Sequence, residues 1–133
     1  MMRIILLMIF VLSLSGCYNE WDCVRGSGPY VSEKRLIRDY NQLDVLGDIE
    51  LRLDESLNGE ILVEAHENII PYLETRVYGE TLRIYWLDAD RCLRDRGRVI
   101  VTVGKKNFEN IRYNGSGQII SDFTLVSENL ELF

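Results

Sequence analysis

The stretch Leu43-Asp44-Val45-Leu46-Gly47-Asp48-Ile49-Glu50-Leu51-Arg52-Leu53 decides the fold class. Leu43, Val45, Ile49, Leu51 and Leu53 alternate with Asp44, Asp48, Glu50 and Arg52. In an extended chain this period of two sends the apolar set to one face and the charged set to the other. Wound into a helix, the same leucines and valines would scatter around the axis and bury no coherent face. Gly47 interrupts the series, and a bulge or bend is expected there.

The alternation continues on either side of later turns. Ile61, Val63 and Ala65 repeat it after the turn-like Ser56-Leu57-Asn58-Gly59, and Thr75 to Tyr78 and Leu82 to Trp86 flank Gly79-Glu80, which reads as a hairpin turn. Further strands are expected through Val99, Val101 and Val103, through Ile111 and Tyr113, and through Leu130 and Leu132. Asn68 to Leu73 alone reads as locally helical or coiled, with Pro71 in its first turn. The expected class is all-β.

The N-terminus has a different character. Met1-Met2-Arg3 is followed by a mostly apolar run from Ile4 to Leu12 and then by Ser13-Leu14-Ser15-Gly16-Cys17, the plan of an export signal. A membrane-crossing helix needs roughly 20 apolar residues, and this run is too short. Leu14-Ser15-Gly16-Cys17 resembles the lipobox of bacterial lipoproteins, in which the thiol takes diacylglycerol and the chain is cut before it. The small Ser15 and Gly16 admit the peptidase, and only a cysteine sulfur forms the thioether. The domain expectation is therefore a signal peptide at residues 1–16, a lipidated tether at 17–28 and one domain at 29–133, exported to the outer membrane or cell surface, with the periplasmic face as an alternative. Acyl chains at about 0.8 kcal/mol per buried methylene supply the membrane anchor.

Charge and cysteines bound the chemistry further. The net charge of −6 becomes −7 once residues 1–16 are removed, because Arg3 is their only charged residue. A nucleic-acid partner needs a basic face, so none is expected. With Cys17 lipidated, Cys23 and Cys92 remain, either as a disulfide in an oxidising compartment or as two separate buried thiols. A bridge would restrict the unfolded chain by an entropic contribution of about 4 kcal/mol at most.

The ordered series Gly26-Ser27-Gly28, Tyr40-Asn41-Gln42-Leu43-Asp44-Val45-Leu46-Gly47-Asp48-Ile49-Glu50-Leu51, Val63-Glu64-Ala65-His66-Glu67-Asn68-Ile69-Ile70-Pro71-Tyr72-Leu73-Glu74-Thr75, Thr81-Leu82-Arg83-Ile84 and Asn110-Ile111-Arg112-Tyr113-Asn114-Gly115-Ser116-Gly117 resembles the auto-transporter adhesin head GIN domain family. The resemblance covers nearly the whole chain after the leader. It implies a short parallel β-helix-like solenoid in exported or lipid-anchored proteins, with Gly-Ser-Gly corners where Gly115 and Gly117 allow a positive φ or a close backbone approach. Family members usually continue through further coils, whereas this sequence reaches Phe133 within an apolar strand. Self-association through that C-terminal edge, or a truncated relative, is the pair of expectations that follows.

No residue set points to catalysis, and no cofactor or metal is expected. His66 is the only histidine, and a surface or capping role is expected for it. Asp88-Ala89-Asp90 opens an alternation reminiscent of a calcium loop, but Cys92, Leu93 and Val99 stand where an EF-hand needs oxygen ligands, glycine and glutamate. Arg91, Arg94, Arg96 and Arg98 are the candidate ligand-binding cluster, since guanidinium forks suit anionic groups; Asp88, Asp90 and Asp95 interleave with them, and internal pairing is the competing expectation. Trp21, Tyr30, Tyr72, Tyr78, Tyr85, Trp86 and Tyr113 could stack on sugars or simply pack. The leading expectation is a non-catalytic surface module that binds a glycan, a protein or its own copies. The alternatives are an enzyme acting on acidic polysaccharide, a use that the β-helix fold only suggests by analogy, and an envelope-stress sensor.

Overall fold

The computed structural model describes residues 23–87, 92–104 and 107–133. The leader, Cys17, Trp21, Asp88, Asp90 and Arg91 lie outside them. The described strands are β1 (Tyr30–Leu36), β2 (Gln42–Leu46), β3 (Glu50–Leu53), β4 (Glu60–His66), β5 (Leu73–Tyr78), β6 (Thr81–Trp86), β7 (Ile100–Val103), β8 (Asn107–Asn114), β9 (Ile119–Ser121) and β10 (Val126–Leu132). One 3-10 turn among the described residues, Ile70–Tyr72, carries Pro71 in its first positions, where the missing N–H costs nothing.

The strands form two five-stranded sheets, in the orders β1-β4-β7-β3-β9 and β10-β8-β2-β6-β5. β2 leads into β3, β6 into β7 and β8 into β9, and each of these steps carries the chain from the second sheet into the first. Neighbouring layers pair in parallel: β2 lies between β6 and β8 in one sheet, and β3 between β7 and β9 in the other. β10 adds to β8 in parallel, with Leu130 opposite Ile111. The remaining pairs, β1 with β4, β4 with β7 and β5 with β6, are antiparallel, so both sheets are mixed. Physically this follows from the connections, because the two residues Gly79 and Glu80 between Tyr78 and Thr81 can only join antiparallel neighbours. Gly79, at φ +60°, takes the left-handed position that such a turn requires.

The core fills the space between the sheets with one half of each alternation. Leu43, Val45, Leu51, Ile61, Leu82 and Ile111 are fully buried there; their charged neighbours take the outer faces, where Glu50 is buried as well. The decisive stretch is not one strand. At Gly47, φ +113°, it turns from β2 in the second sheet to β3 in the first. The corner at Gly115-Ser116-Gly117 stacks directly on this one. A Cβ on Gly115 would overlap the Gly47 carbonyl, and one on Gly117 would overlap the Ile49 carbonyl, so close approach rather than positive φ explains both glycines. The buried Tyr113 hydroxyl donates to the Ile49 carbonyl at 2.7 Å, and the Ser116 backbone N–H donates to Asp48 Oδ1 at 3.0 Å. These Ser116 hydrogen bonds hold the Asp48 carboxyl below its ordinary range.

The expected tether is docked from Cys23 onward. Cys23 and Cys92 are bonded, with their Cα atoms 4.5 Å apart. Val24 bridges Leu93 in parallel, Val24 N–H donates to the Cys92 carbonyl, and Gly26 N–H donates to the Asp95 carbonyl. Asn68 closes the arrangement, accepting from Ser27 N–H and donating to the Arg25 carbonyl.

Candidate functional site

The outward half of each alternation on the second sheet brings polar residues from five strands into level rows. One row runs Arg76, Arg83, Asp44, Arg112, Glu131 across β5, β6, β2, β8 and β10; the next runs Tyr78, Thr81, Gln42, Asn110, Asn129. Between them opens a cleft of about 300 Å³ lined by Gln42, Leu43, Asp44, Tyr78, Thr81, Arg83, Asn110 and Arg112.

Its guanidinium groups are already neutralised. Arg83 Nε donates to Asp44 Oδ2 at 3.1 Å, and Arg112 Nε donates to Glu131 Oε2 at 3.0 Å, which raises the Arg112 pKa further. Arg83 also lies over the Tyr78 and Tyr85 rings, 5.9 and 5.3 Å from their centres, and the two tyrosine hydroxyls meet at 3.2 Å. That contact with Tyr78, together with burial, raises the Tyr85 pKa. The result is a platform of planar groups held by one another. On the cleft wall, Thr81 donates to Gln42 Oε1 at 3.2 Å. Asp44 Oδ1 and Asn110 Oδ1 are buried and have no hydrogen-bond partner among the described residues. The cleft itself offers the amides of Gln42 and Asn110 and the hydroxyls of Thr81 and Tyr78, groups suited to hydrogen-bonding ligand hydroxyls.

The arginine cluster expected from the sequence does not converge on one ligand. Arg98 donates to Glu50 from Nε at 2.9 Å and from Nη2 at 3.1 Å, and Arg52 donates to the same carboxylate. Burial opposes ionisation of Glu50, yet the hydrogen bonds from Arg98, Arg52 and Gln118 outweigh it and keep its pKa below the ordinary value. Arg96 stacks on Trp86, 4.6 Å from the ring centre. Arg94 is exposed, and Arg91 lies outside the described residues. His66 is wedged behind this loop: its Nδ1 is 2.9 Å from the Gly28 carbonyl, Tyr30 packs edge-on against it, and Gly97 passes close to the ring. Among the described residues no three His, Cys, Asp or Glu side chains gather as metal ligands, and no helix is long and apolar enough to cross a membrane.

Of the aromatic residues singled out in the sequence, Tyr78 lines the cleft, Tyr85 meets its hydroxyl, Tyr113 is core, Tyr30 packs on His66 and Trp86 lies under Arg96. Sequence reasoning passed over Gln42, Asp44, Asn110 and Arg112. Their signal was present as the outward half of the alternation, but their juxtaposition depends on strand order.

Such a chain is a two-sheet, all-β domain with glycine corners and a polar face laid across parallel strands. It belongs to the family described as "Putative auto-transporter adhesin, head GIN domain", whose model matches residues 39–133. Its fold is similar to that of a "putative adhesin" from Parabacteroides merdae, at 21% identity and a TM-score of 0.67, covering 84% of this chain and 46% of that one. It is also similar to a "putative adhesin" from Parabacteroides distasonis, at 24% identity and 0.62, covering 75% and 42%. A "putative lipid binding protein" from the same species matches at 23% and 0.59, covering 75% and 44%. The chain thus spans less than half the length of these solved structures. No curated protein matches it.

Proposed function

We propose that this protein is an envelope or cell-surface module, anchored by lipid on Cys17, that binds a neutral, hydroxyl-rich glycan in the Gln42–Asn110 cleft and does not turn it over. The observation that carries the reading is the cleft on the second sheet, where Gln42, Thr81, Asn110 and Tyr78 bring amide and hydroxyl groups to one opening beside Arg83. Family membership supports a surface binding role. Because Arg83 and Arg112 already hold carboxylates, the face favours neutral sugars over acidic polysaccharide, which weighs against the polysaccharide-enzyme alternative. The stacked layers β6/β7, β2/β3 and β8/β9 are read as the start of a β-helix-like winding.

The test is a titration of the purified chain with neutral and acidic glycans. Gln42→Ala and Asn110→Ala should each weaken a neutral glycan by about tenfold, the effect of losing one hydrogen bond of roughly 1 to 1.5 kcal/mol. A glycan that binds equally well to both variants would place the ligand elsewhere; no binding of any neutral glycan would remove the proposal.

Self-association is a second reading with its own observation. Leu130 and Leu132 stand in the inward rows opposite Ile111 and Tyr113, yet they are 52% and 59% exposed. A second copy added at β10 would cover them. Sedimentation should then show a dimer that Leu130→Glu dissociates, and a wild-type monomer at all concentrations would exclude it.

A further inference from the structure

We infer that the cleft takes its glycan crosswise to the strands, as a stretch of linear, extended chain with one sugar set against each strand from Tyr78 on β5 to Asn129 on β10. This rests on the neutral-glycan reading of the cleft and adds the shape of the ligand to it. The cleft is a trough whose walls are two neighbouring outward rows of one sheet. Tyr78, Thr81, Gln42, Asn110 and Asn129 form one wall, and the row from Arg76 to Glu131 forms the other. Rows two residues apart along a strand are separated by about 7 Å, room for a single chain. The lining passes from Tyr78 on β5 through Thr81 and Gln42 to Asn110 on β8, so the trough runs across the strands.

Its period selects the ligand. Strands in a sheet stand about 4.8 Å apart, so five of them carry a row about 19 Å long. The parallel pairing of β6, β2, β8 and β10 keeps that row level, with one polar side chain per strand. An extended linear glycan repeats its hydroxyl groups at nearly the same step, and a sugar seated on one strand therefore delivers the next sugar to the next strand. A lone sugar ring would reach two neighbouring positions and leave the others in water.

The groups along the row fit that use. Gln42 Oε1 accepts from Thr81, which leaves the Gln42 amino group to donate to a ligand. Tyr78 is 45% exposed and offers its ring to the C–H face of a sugar at one end, and the exposed Asn129 ends the row at the other. The surrounding charge favours a neutral chain. Arg83 and Arg112 hold Asp44 and Glu131, Arg76 lies over the Tyr78 ring, and at the strand starts beside the row Asn41 Nδ2 donates to Glu109 at 2.8 Å and to Glu80 at 3.4 Å.

The experiment titrates the purified chain with β-1,4-linked oligomers of glucose, mannose and xylose, from one to six sugars long. For the series that binds, affinity should rise by about fivefold with each sugar, the effect of about one hydrogen bond, and level off at about five. Asn129→Ala should weaken the pentamer by about fivefold and leave the trimer unchanged, because three sugars already fill the half-buried middle of the row. Gln42→Ala, in that middle, should weaken trimer and pentamer alike. Affinity that levels off at one or two sugars, or a pentamer weakened by Gln42→Ala and indifferent to Asn129→Ala, would overturn the crosswise seat and leave a glycan in the cleft. Binding untouched by either change, or no binding in any series, would overturn both.

Discussion

At Gly115, a methyl group would overlap the backbone carbonyl of Gly47, and neither backbone can yield without opening the contact between two corners. Gly115→Ala should therefore destabilise by about 3 kcal/mol or more, the upper range for overpacking. Gly59 has open space around it and only a φ of +71° to defend, so Gly59→Ala should cost about 1 kcal/mol. Urea unfolding of both variants checks this order, and equal losses would mean that the corners do not stack as described. Glu50 offers a second residue-scale test, with a pH sign. Hydrogen bonds from Arg98, Arg52 and Gln118 lower its pKa from the ordinary 4.5 despite burial. A carboxyl lowered in the folded state stabilises fully above its unfolded value and loses that contribution as pH falls through the folded one. Glu50→Gln should thus be less stable at neutral pH by about 1 to 3 kcal/mol, toward the low end because the arginine partners are solvent-screened. Thermal midpoints should converge with wild type well below pH 4.5. A gap that stays constant with pH would assign the loss to something other than the carboxylate.

The elements differ in how their edges are finished. β5 is an edge strand of the second sheet, and arginines from outside the sheet occupy its carbonyls: Arg35 Nη1 donates to Leu73 at 2.7 Å and Arg38 Nη2 to Val77 at 2.8 Å. Such side chains block pairing with another chain. β10, at the other edge, presents exposed Leu130 and Leu132. The segment at 23–28 is also an element with a measurable stability of its own. It is held by the bridge across a separation of 69 residues and by the short ladder along 92–95. Reduction should lower global stability by up to about 4 kcal/mol, the loop-closure limit for that length. Exchange at the amides of Val24 and Gly26 should then rise more than at the amides of β2, because a two-strand ladder without its clamp opens locally. Unchanged exchange there would show that the hydrogen bonds alone secure the segment.

Across the whole molecule, the sequence disclosed the strands far better than their partners. The alternation around Leu43 and Leu51 was readable because burial of one face needs only local order, and the Gly79-Glu80 turn was readable because its chemistry is local. Gly47 showed that the alternation broke but not that the chain changes sheets there, and nothing in the order of residues places β2 between β6 and β8. The cleft shares that fate: Asp44, Arg83 and Arg112 are 39 and 29 residues apart in successive steps, and only the register brings them level. The register also settles what long-range charge can do. The net charge of −6 repels polyanions at a distance, while the cleft row pairs Arg83 with Asp44 and Arg112 with Glu131 and so presents little net field of its own. A neutral glycan feels neither. Raising salt from about 0.1 M to about 1 M shortens the screening length from about 10 Å to about 3 Å. Affinity for a neutral glycan should change less than about twofold over that range, because desolvated hydrogen bonds and ring contacts are barely screened. Titration calorimetry at the two salt levels checks this. A fall of tenfold or more would show that ligand charge drives recognition, and the bound species would then have to be an anion held by arginines released from Asp44 and Glu131.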